Sequence, residues 1–217
     1  QVNFILSALD PKDNSSILDL FCGKGRHSLV LAKKGFKVTS VDFVNEFIET
    51  LKTNANDSGV SVNAICQDAR SIDFRNEFDH IIVMFTSFGY FSDEENQTLL
   101  SQIRTALKPG GTCLIDVENR DYLLKYFIKE KWREKEYGWL LERNKYYPKT
   151  SRHRTLRVTI DKDGTSTSTE RIIRLFSQHE ILNMSKIAKL KPVCVYGDYD
   201  RTLCKSLSPR VIAVLKK

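Results

Sequence analysis

Short apolar runs alternate with stretches of helical spacing along the first 117 residues. The apolar runs "SILDLF", "FKVTSVDF", "VSVNAICQD", "FDHIIVMF" and "TCLIDV" are typical of buried strands. Between them, "HSLVLAKKG", "NEFIETLKTNANDSG" and "SDEENQTLLSQIRTALKPGG" have the spacing and end signals of helices, with Asn45 and Ser92 as the expected N-caps of the last two. This alternation predicts an α/β fold with a doubly wound, mostly parallel sheet and helices on both faces.

The alternation stops after the fifth predicted strand. A short helical stretch, "RDYLLKYFIKE", is followed by the β-type runs "GWLLERNKYYP", "RHRTLRVTID" and "TSTSTERIIRLF". Asp-Lys-Asp-Gly at 161–164 is a strong hairpin signal between the last two runs. We therefore expect a small antiparallel sheet inserted at 120–174, as a cap over the substrate or a dimer region. The main domain would comprise 1–119 and 175–217, with two further strands in "PVCVYGD" and "RVIAVLK".

Composition places the chain among ordinary globular proteins, with 41% hydrophobic and 28% charged residues. Its five cysteines are widely spaced and form no C-x-x-C pair, which argues against a disulfide framework and a zinc site. We expect no metal and a reducing, cytoplasmic compartment. No apolar run is long enough to span a bilayer, and no secretory signal pattern precedes the first strand. Gln1 is not an initiating Met, so we expect residues before it.

The positive charge of the chain is concentrated in one segment. Residues 120–160 contain twelve Lys and Arg against five Asp and Glu, which accounts for the whole net charge of +7. A solvated charged face is the favoured interpretation of this segment. The alternative is a surface that attracts an anionic substrate or a nucleic acid.

Gly23 and Gly25 follow the first predicted strand, and Asp42 ends the second. Ligands of parallel sheets bind beyond the carboxyl ends of the strands, and a carboxylate at this spacing accepts hydrogen bonds from ribose hydroxyls. The pattern indicates an adenosine-containing ligand rather than a plain turn with an exposed acid. A dinucleotide turn usually has a third glycine where this chain has Ser28, and the chain has instead an acid before the turn, Asp19.

The motifs "LDLFCGKG", "CQDAR" and "LKPGGTCLIDV", together with Asp42, resemble those of class I S-adenosylmethionine-dependent methyltransferases. The resemblance implies a Rossmann-like sheet and S-adenosyl-L-methionine as cofactor. Phe21 and Lys24 depart from the usual glycine motif. The implied cofactor contacts are Asp19, Cys22, Gly23, Gly25, Asp42, Phe43, Asp68, Ala69 and Met84.

"GRHS", "MFTSFGYFSDEEN", "LIDVENRDYLLKYF" and "VYGDYD…SPRVIAVLKK" look like a narrower group of small-molecule-type bacterial and archaeal methyltransferases. That group carries an antiparallel β insertion after the fifth strand. The likeness implies methyl transfer to an O- or N-nucleophile of a small molecule, with no indication of which one. The family's N-terminal helix is largely absent, which suggests an open site.

The acceptor is expected over the end of the fourth strand, where "FTSFGYF" supplies aromatic rings and hydroxyls; at least one of its Phe residues should pack in the core. If the basic insertion covers this place, the acceptor could be anionic. Strand alternation sets Arg152 and Arg154 on one face and Arg157 on the other. The predicted substrate-pocket residues are Phe85, Thr86, Ser87, Tyr90, Tyr146, Arg152 and Arg154. No catalytic residue is evident; Tyr90 and His153 are candidates for a general base.

Two other functions remain open at this point. An RNA methyltransferase could use the basic segment at 120–160 to hold phosphates. However, an amino-methyltransferase of nucleic acids would be expected to carry an Asn/Asp-Pro-Pro-aromatic motif after the fourth strand, and this chain lacks it. A non-catalytic module could retain the cofactor pocket only to stabilise a partner contact. A homodimer is a possible assembly in each case.

Overall fold

A computed structural model describes all residues from Gln1 to Lys217. Its strands are β1 (Ser16–Leu20), β2 (Lys37–Asp42), β3 (Val62–Cys66), β4 (Phe78–Val83), β5 (Leu107–Glu118), β6 (Glu130–Lys135), β7 (Gly138–Tyr147), β8 (Arg152–Asp161), β9 (Ser166–Arg174), β10 (Lys191–Tyr196) and β11 (Arg210–Lys216). Its helices are α1 (Val2–Leu9), α2 (Arg26–Lys33), α3 (Asn45–Asp57), α4 (Asp93–Ala106), α5 (Arg120–Lys125) and α6 (Gln178–Ile187), with a 3₁₀ turn at Ala69–Ser71.

The main sheet has seven strands in the order β10-β11-β5-β4-β1-β2-β3. Strands β1 to β5 run parallel, and β11 pairs antiparallel with both β5 and β10. The predicted α/β fold class, with a mostly parallel sheet and a separate antiparallel one, is confirmed. The chain order reverses direction between β1 and β4, and this switch point opens a crevice at the carboxyl edge of the sheet.

Side-chain alternation along the central strands builds a core on each face of this sheet. Leu18 of β1 joins the larger core, which includes Leu99 of α4 and Ile181 of α6. Its neighbour Ile17 joins a second core, where Phe4 of α1 is buried. Because both faces are covered, the central strands are apolar on both sides, which is why their sequences read as continuous hydrophobic runs.

Two helices begin with the capping box that their sequences predict. The hydroxyl of Ser92 accepts the N–H of Glu95, whose carboxylate accepts the N–H of Ser92. Ser177 and Glu180 do the same for α6. The prediction that Asn45 caps α3 is wrong: Asn45 is already helical and the preceding residue is the N-cap.

The second sheet is antiparallel, in the order β6-β7-β8-β9. Three of its strands and the 161–164 hairpin were expected, but β6 was not. Its sequence "EKWREK" has a single apolar residue, Trp132, so it lacks the hydrophobic signal of a strand. The sheet joins the main domain where the N–H of Arg174, at the end of β9, donates to the carbonyl of Gly89 at 2.8 Å.

The longest helix, α4, has 14 residues, and none of the helices combines the length and hydrophobicity that a membrane span requires.

Candidate functional site

Asp42, at the carboxyl end of β2, ties the glycine loop to the start of α3. Its Oδ2 accepts the N–H of Gly23 at 2.9 Å, and its Oδ1 accepts the N–H of Val44 at 3.0 Å. Asp42 is 8% exposed. A carboxylate has about four acceptor positions, so two remain after these bonds. That number suits the two hydroxyls of a ribose.

The two glycines of the loop are required for different reasons. Both have left-handed backbones, with φ of 55° at Gly23 and 76° at Gly25. A Cβ on Gly25 would lie 2.1 Å from Cδ1 of Leu51 in α3, whereas one on Gly23 would meet nothing within 4 Å. Gly25 therefore allows the loop to pack on α3, and Gly23 borders open space where a ligand can approach. The side chain of Cys22 packs with Leu51, so it faces α3.

A series of buried side-chain hydrogen bonds lies beneath the glycine loop. The hydroxyl of Ser40 donates to that of Ser28, which donates to Oδ2 of Asp19 at 2.6 Å. Burial raises the pKa of Asp19 to about 7, and the nearby carboxylate of Asp42 adds to this. Ser28 stands where a dinucleotide turn would have its third glycine. Its hydroxyl gives Asp19 a hydrogen-bond partner that glycine could not supply.

The side of the site next to β2 and β3 offers one aromatic surface and one engaged carboxylate. Phe43 follows Asp42 and is 71% exposed, while Ala69 is buried. Asp68 is bound by its neighbour Arg70, with Nη2 to Oδ2 at 2.6 Å, and these hydrogen bonds lower the pKa of Asp68. Arg70 also stacks on Phe91, 4.6 Å from the ring centre. The resemblance implies that Asp68 contacts the cofactor, and any such hydrogen bond would compete with this ion pair.

The turn after β4 is strained and held by a buried acid. Phe85 and Thr86 both have left-handed backbones, with φ of 62° and 63°. Such a residue costs of order 1–3 kcal/mol unless its surroundings enforce it. Asp116 on β5, which is fully buried, provides this support. Its Oδ2 accepts the N–H of Phe85 at 2.9 Å, and its backbone carbonyl accepts the N–H of Thr86 at 2.8 Å.

Asp116 is neutralised by residues that follow β10 and begin β11. Its Oδ1 accepts from the guanidinium of Arg210, and its Oδ2 accepts the hydroxyl of Tyr199 at 2.6 Å. Burial, followed by the charge of Asp116, raises the pKa of Tyr199, so this hydroxyl remains a donor. Arg210 also donates to Oγ1 of Thr86 at 3.1 Å. Thr86 also accepts the N–H of Glu118, so both acceptor positions of its hydroxyl oxygen are used within the protein.

The other residues of "MFTSFGYF" point in different directions. Phe88 is fully buried against Phe176, as expected for at least one Phe of this motif. Met84 packs in the core beneath α1, and the hydroxyl of Ser87 donates to the carbonyl of Met84. Phe85 is 54% exposed. Its ring is therefore accessible at the carboxyl edge of the sheet, directly after β4.

The ring of Phe85 lies between the glycine loop and a large cavity. The guanidinium of Arg26, which follows the loop, lies 4.3 Å from the ring centre, and that of Arg210 lies 5.7 Å from it. Arg210 lines a cavity of about 820 Å³ that we call the acceptor cavity. Its walls are the end of β5, helix α5 and the residues after it, one face of the second sheet, and the segment before β11. They include Glu118, Asn119, Tyr122, Phe127, Lys131, Arg133, Glu142, Asn144, His153, Thr155, Arg157, Arg171, Asp198 and Tyr199.

Two arginines predicted for the substrate pocket lie on the other face of the second sheet. Along β8 the residues that line the cavity are His153, Thr155 and Arg157, so Arg152 and Arg154 lie on the opposite face. Arg152 donates to the carbonyl of Phe91, and Arg154 pairs with Glu170.

The remaining two outliers are tyrosines. The hydroxyl of Tyr146 donates to Ser151 at the β7–β8 turn. Tyr90 is 47% exposed but does not line the cavity. Tyr146 is opposite His153 in the register and so shares the cavity-facing side of the sheet, but it does not line the cavity.

His153 lines the acceptor cavity in a defined tautomer. The amide nitrogen of Asn144 donates to the carbonyl of Ile128, so Oδ1 of Asn144 must be an acceptor. Nε2 of His153 lies 3.1 Å from that oxygen and therefore carries the proton. Burial lowers the pKa of His153, which favours the neutral ring, and Nδ1 is a buried acceptor without a partner.

Reasoning from sequence missed Asp116, Glu118, Tyr199 and Arg210. One signal was present: Asp116 is a charged residue inside the otherwise apolar run "TCLIDV". A buried carboxylate requires a partner. Nothing in the sequence indicates that this partner is Arg210, which lies 94 residues further along the chain.

Comparison with known proteins agrees with this geometry. Residues 17–111 match a family model described as a methyltransferase domain. The chain is 29% identical to the glycine/sarcosine N-methyltransferase of Aphanothece halophytica over 131 residues, which are 59% of this chain and 49% of the relative. It is 32% identical to the cypemycin N-terminal methyltransferase of a Streptomyces species over 112 residues, 51% of this chain and 45% of the relative. The chain thus spans about half or less of the length of these curated relatives.

Two solved structures share the fold along nearly the whole chain. An S-adenosylmethionine-dependent methyltransferase from Clostridium acetobutylicum superposes with a TM-score of 0.89 at 18% identity, covering 99% of this chain and 89% of the other. The amino pentose methyltransferase CalS10 from Micromonospora echinaspora, solved with bound S-adenosylmethionine, gives a TM-score of 0.73 at 20% identity, covering 99% and 87%. The resemblance to class I methyltransferases is confirmed: residues 17–111 match a methyltransferase-domain model, and the chain has the fold of these two methyltransferases.

We expect Gly25→Ala to destabilise the protein and Gly23→Ala to leave its packing intact. The added methyl at 25 overlaps Leu51, and overpacking of this kind costs about 1–3 kcal/mol, to which the left-handed backbone adds of order 1 kcal/mol. Urea denaturation of both variants measures the free energy of unfolding. Because both carry the backbone penalty, an equal loss in the two variants would show that Leu51 does not restrict position 25.

Arg210→Met should lower the free energy of unfolding by about 3–5 kcal/mol, because it leaves the fully buried Asp116 without its cation. Asp116→Asn combined with Arg210→Met removes the unpaired charge and should recover part of that loss. Denaturation of the single and double variants tests this. A double variant no more stable than Arg210→Met would mean that the charge of Asp116 is not what the arginine compensates.

Proposed function

We propose that this protein, which contains a methyltransferase domain, transfers a methyl group from S-adenosylmethionine to a nitrogen or oxygen of a small molecule bound in the acceptor cavity. The observation that carries the proposal is the position of Phe85. Its ring contacts Arg26 beside the glycine loop and Arg210 in the cavity wall. A cofactor on the loop and an acceptor in the cavity would meet at this ring. Relatives named as glycine/sarcosine N-methyltransferase and sugar N-methyltransferase support a small-molecule acceptor.

The residues around the glycine loop fit an adenosine-containing cofactor. Asp42 has two free acceptor positions for ribose hydroxyls, Gly23 leaves open space beside the loop, and the exposed ring of Phe43 offers a stacking surface. When bound there, S-adenosylmethionine supplies an activated methyl group. The chain supplies alignment, which is the main requirement of such a transfer.

Alignment at the acceptor side rests on the turn after β4. Asp116 holds Phe85 and Thr86 in their strained backbone conformation, and Arg210 and Tyr199 hold Asp116. The second sheet and the segment around Phe127 wall the cavity and limit its exchange with water, which strengthens polar contacts inside it. His153 stays our candidate for a group that accepts a proton or a hydrogen bond from the acceptor, because Nδ1 has no partner in the protein.

The arrangement of charge favours a small molecule over RNA. Several basic residues of 120–160 are neutralised within the chain: Arg120 by Glu180, Arg143 by Glu130, and Arg154 by Glu170. Others line the cavity rather than the outer surface, as Lys131 and Arg157 do. Five lysines of the segment remain exposed outside these ion pairs, so the surface that could hold phosphates is smaller than the residue count of the segment suggests: Lys125, Lys129, Lys135, Lys145 and Lys149. The division into a cofactor domain and a cap at 120–174 is part of this proposal, as is a cytoplasmic location, with which five free cysteines are consistent.

We also propose that the outer face of the second sheet pairs with a second copy of this chain. Trp132, Trp139 and Ile172 are 69%, 45% and 43% exposed on the face opposite the cavity. Charged neighbours on that face form neutral pairs within the chain, such as Arg154 with Glu170. An apolar patch whose nearest charges are largely paired suits an identical patch on a second copy.

Asp42→Ala should weaken binding of S-adenosylhomocysteine by about 1.5–3 kcal/mol, the range for hydrogen bonds to a charged group. Part of the effect would come from the loop, because Asp42 also accepts the N–H of Gly23. Asp42→Asn keeps one side-chain acceptor and should lose less. Calorimetry measures both affinities, and wild-type affinity in the alanine variant would remove Asp42 from the cofactor site.

The activity itself is tested by following S-adenosylhomocysteine formation with a panel of amines, amino acids, amino sugars and phenols, with RNA as a parallel substrate. The proposal predicts turnover with a small molecule and none with RNA. Steeply salt-dependent turnover of RNA alone would favour the RNA methyltransferase. Cofactor binding without turnover of any acceptor would favour a non-catalytic module.

Trp132→Glu should convert a dimer to a monomer in light-scattering measurements. The control Lys34→Glu introduces the same residue at an exposed position after α2, outside the second sheet. A wild-type protein that is monomeric at high concentration would refute the proposed interface.

A further inference from the structure

The charges of the acceptor cavity are divided between two ends. One end is basic and centres on Glu142 of β7, which is only 8% exposed. Its carboxylate binds Nζ of Lys131 at 2.8 Å and Nη2 of Arg157 at 2.7 Å. Although burial opposes it, these two cations lower the pKa of Glu142, so the carboxylate is charged. Arg133 lines the same end and has no carboxylate partner. Three cations thus surround one anion, which leaves an excess of positive charge.

The other end is acidic and adjoins the turn after β4. Glu118 and Asp198 line it, and the available cation is Arg171, whose Nη2 lies 3.4 Å from Oε2 of Glu118. Arg210 contributes no net charge here, because it is neutralised by the buried Asp116. This end lies closest to the predicted point of transfer, since the N–H of Glu118 donates to Thr86, next to Phe85. Glu170 also reaches the cavity but is paired with Arg154.

The distance between the two ends follows from the strand register. Arg171 is on β9, opposite Thr155 of β8, whereas Glu142 is on β7, opposite Arg157 of β8. Two strand spacings of about 4.8 Å separate β9 from β7, and the step from Thr155 to Arg157 adds about 6.7 Å along the strand, so the centres of the two ends lie roughly 12 Å apart. A cavity of about 820 Å³ holds a molecule of this length.

We propose that the acceptor is an amine that carries an anionic group, a carboxylate or a phosphate, about 10–12 Å from the nitrogen to be methylated. The amine binds at the acidic end, between Glu118 and Asp198, close to Phe85. The anion binds at the basic end, where Arg133 is unpaired and Lys131 and Arg157 outnumber Glu142. The inference rests on the proposed function for the placement of the nitrogen, and on the charges of the cavity alone for the anion.

The experiment compares ω-amino carboxylates of increasing length with an amine that lacks the carboxylate and a carboxylate that lacks the amine. Protein loaded with S-adenosylhomocysteine is titrated with 4-aminobutanoate, 6-aminohexanoate, 8-aminooctanoate, octylamine and octanoate, and binding is measured by calorimetry. We expect 8-aminooctanoate to bind about tenfold more tightly than octylamine and than 4-aminobutanoate, the gain that one charge-assisted hydrogen bond supplies. Turnover of the same compounds with S-adenosylmethionine should follow the same order.

Two charge-reversal variants distinguish an effect of charges inside the cavity from an effect of the overall charge of the protein. Arg133→Glu, at the basic end, should abolish the preference for 8-aminooctanoate over octylamine. Lys145→Glu should leave that preference unchanged, because Lys145 is exposed on the opposite face of the same sheet. Neither variant should alter the affinity for S-adenosylhomocysteine, which binds at the glycine loop.

Equal binding of octylamine and 8-aminooctanoate by the wild-type protein would overturn the inference, as would an equal effect of the two variants. If the inference is right but the proposed methyltransferase function is wrong, 8-aminooctanoate still binds more tightly than octylamine in calorimetry, but no compound is methylated. Tight binding of octanoate with no gain from the added amine would refute the acidic end while leaving the methyltransferase activity untouched.

Discussion

The buried carboxylate of Asp116 is the interaction on which the arrangement of the site depends. It holds a turn in which Phe85 and Thr86 both adopt backbone conformations that are unfavourable for residues with side chains. Its charge is compensated by Arg210, which comes from the last strand of the sheet. A buried acid without such a partner would cost several kcal/mol, so the strand β11 must be in place before the turn can form. The end of the chain and the loop after β4 are thereby made parts of one site.

The second sheet forms one wall of the cavity at the carboxyl edge of the main sheet. Because side chains alternate along its strands, its two faces carry different kinds of residues. The inner face carries Lys131, Glu142 and Arg157, which create a polar wall. The outer face carries exposed aromatic residues such as Trp132 and Trp139. The same alternation that places cations against a substrate therefore places apolar side chains against solvent or a second subunit. Part of the positive charge of 120–160, which suggested nucleic acid as a possible partner, is taken up by internal ion pairs and the cavity wall, while Lys125, Lys129, Lys135, Lys145 and Lys149 are exposed outside both.

Much of the fold was predictable because its signals are local. Apolar runs, helix end signals and capping boxes such as Ser92 with Glu95 are each contained within a few residues. The glycine loop and Asp42 were also predictable, since a fixed spacing relates them. Strand β6 was not, because a strand with one apolar side chain resembles a charged loop. Alternation separated Arg152 and Arg154 from Arg157, but it could not indicate which face turns inward, since that depends on contacts with α5 and the end of β5. The pairing of Asp116 with Arg210 depends on strands that meet only in the folded sheet.

A crystal structure of the protein with S-adenosylhomocysteine would test the central claim most directly, because the sulfur atom marks the point from which the methyl group leaves. The account predicts that the sulfur lies beside the ring of Phe85 and faces the acceptor cavity, with an open path to Glu118. A sulfur atom directed toward Tyr90 and Phe91, with protein side chains between it and Glu118, would contradict the account, because the cavity could then not hold the methyl acceptor.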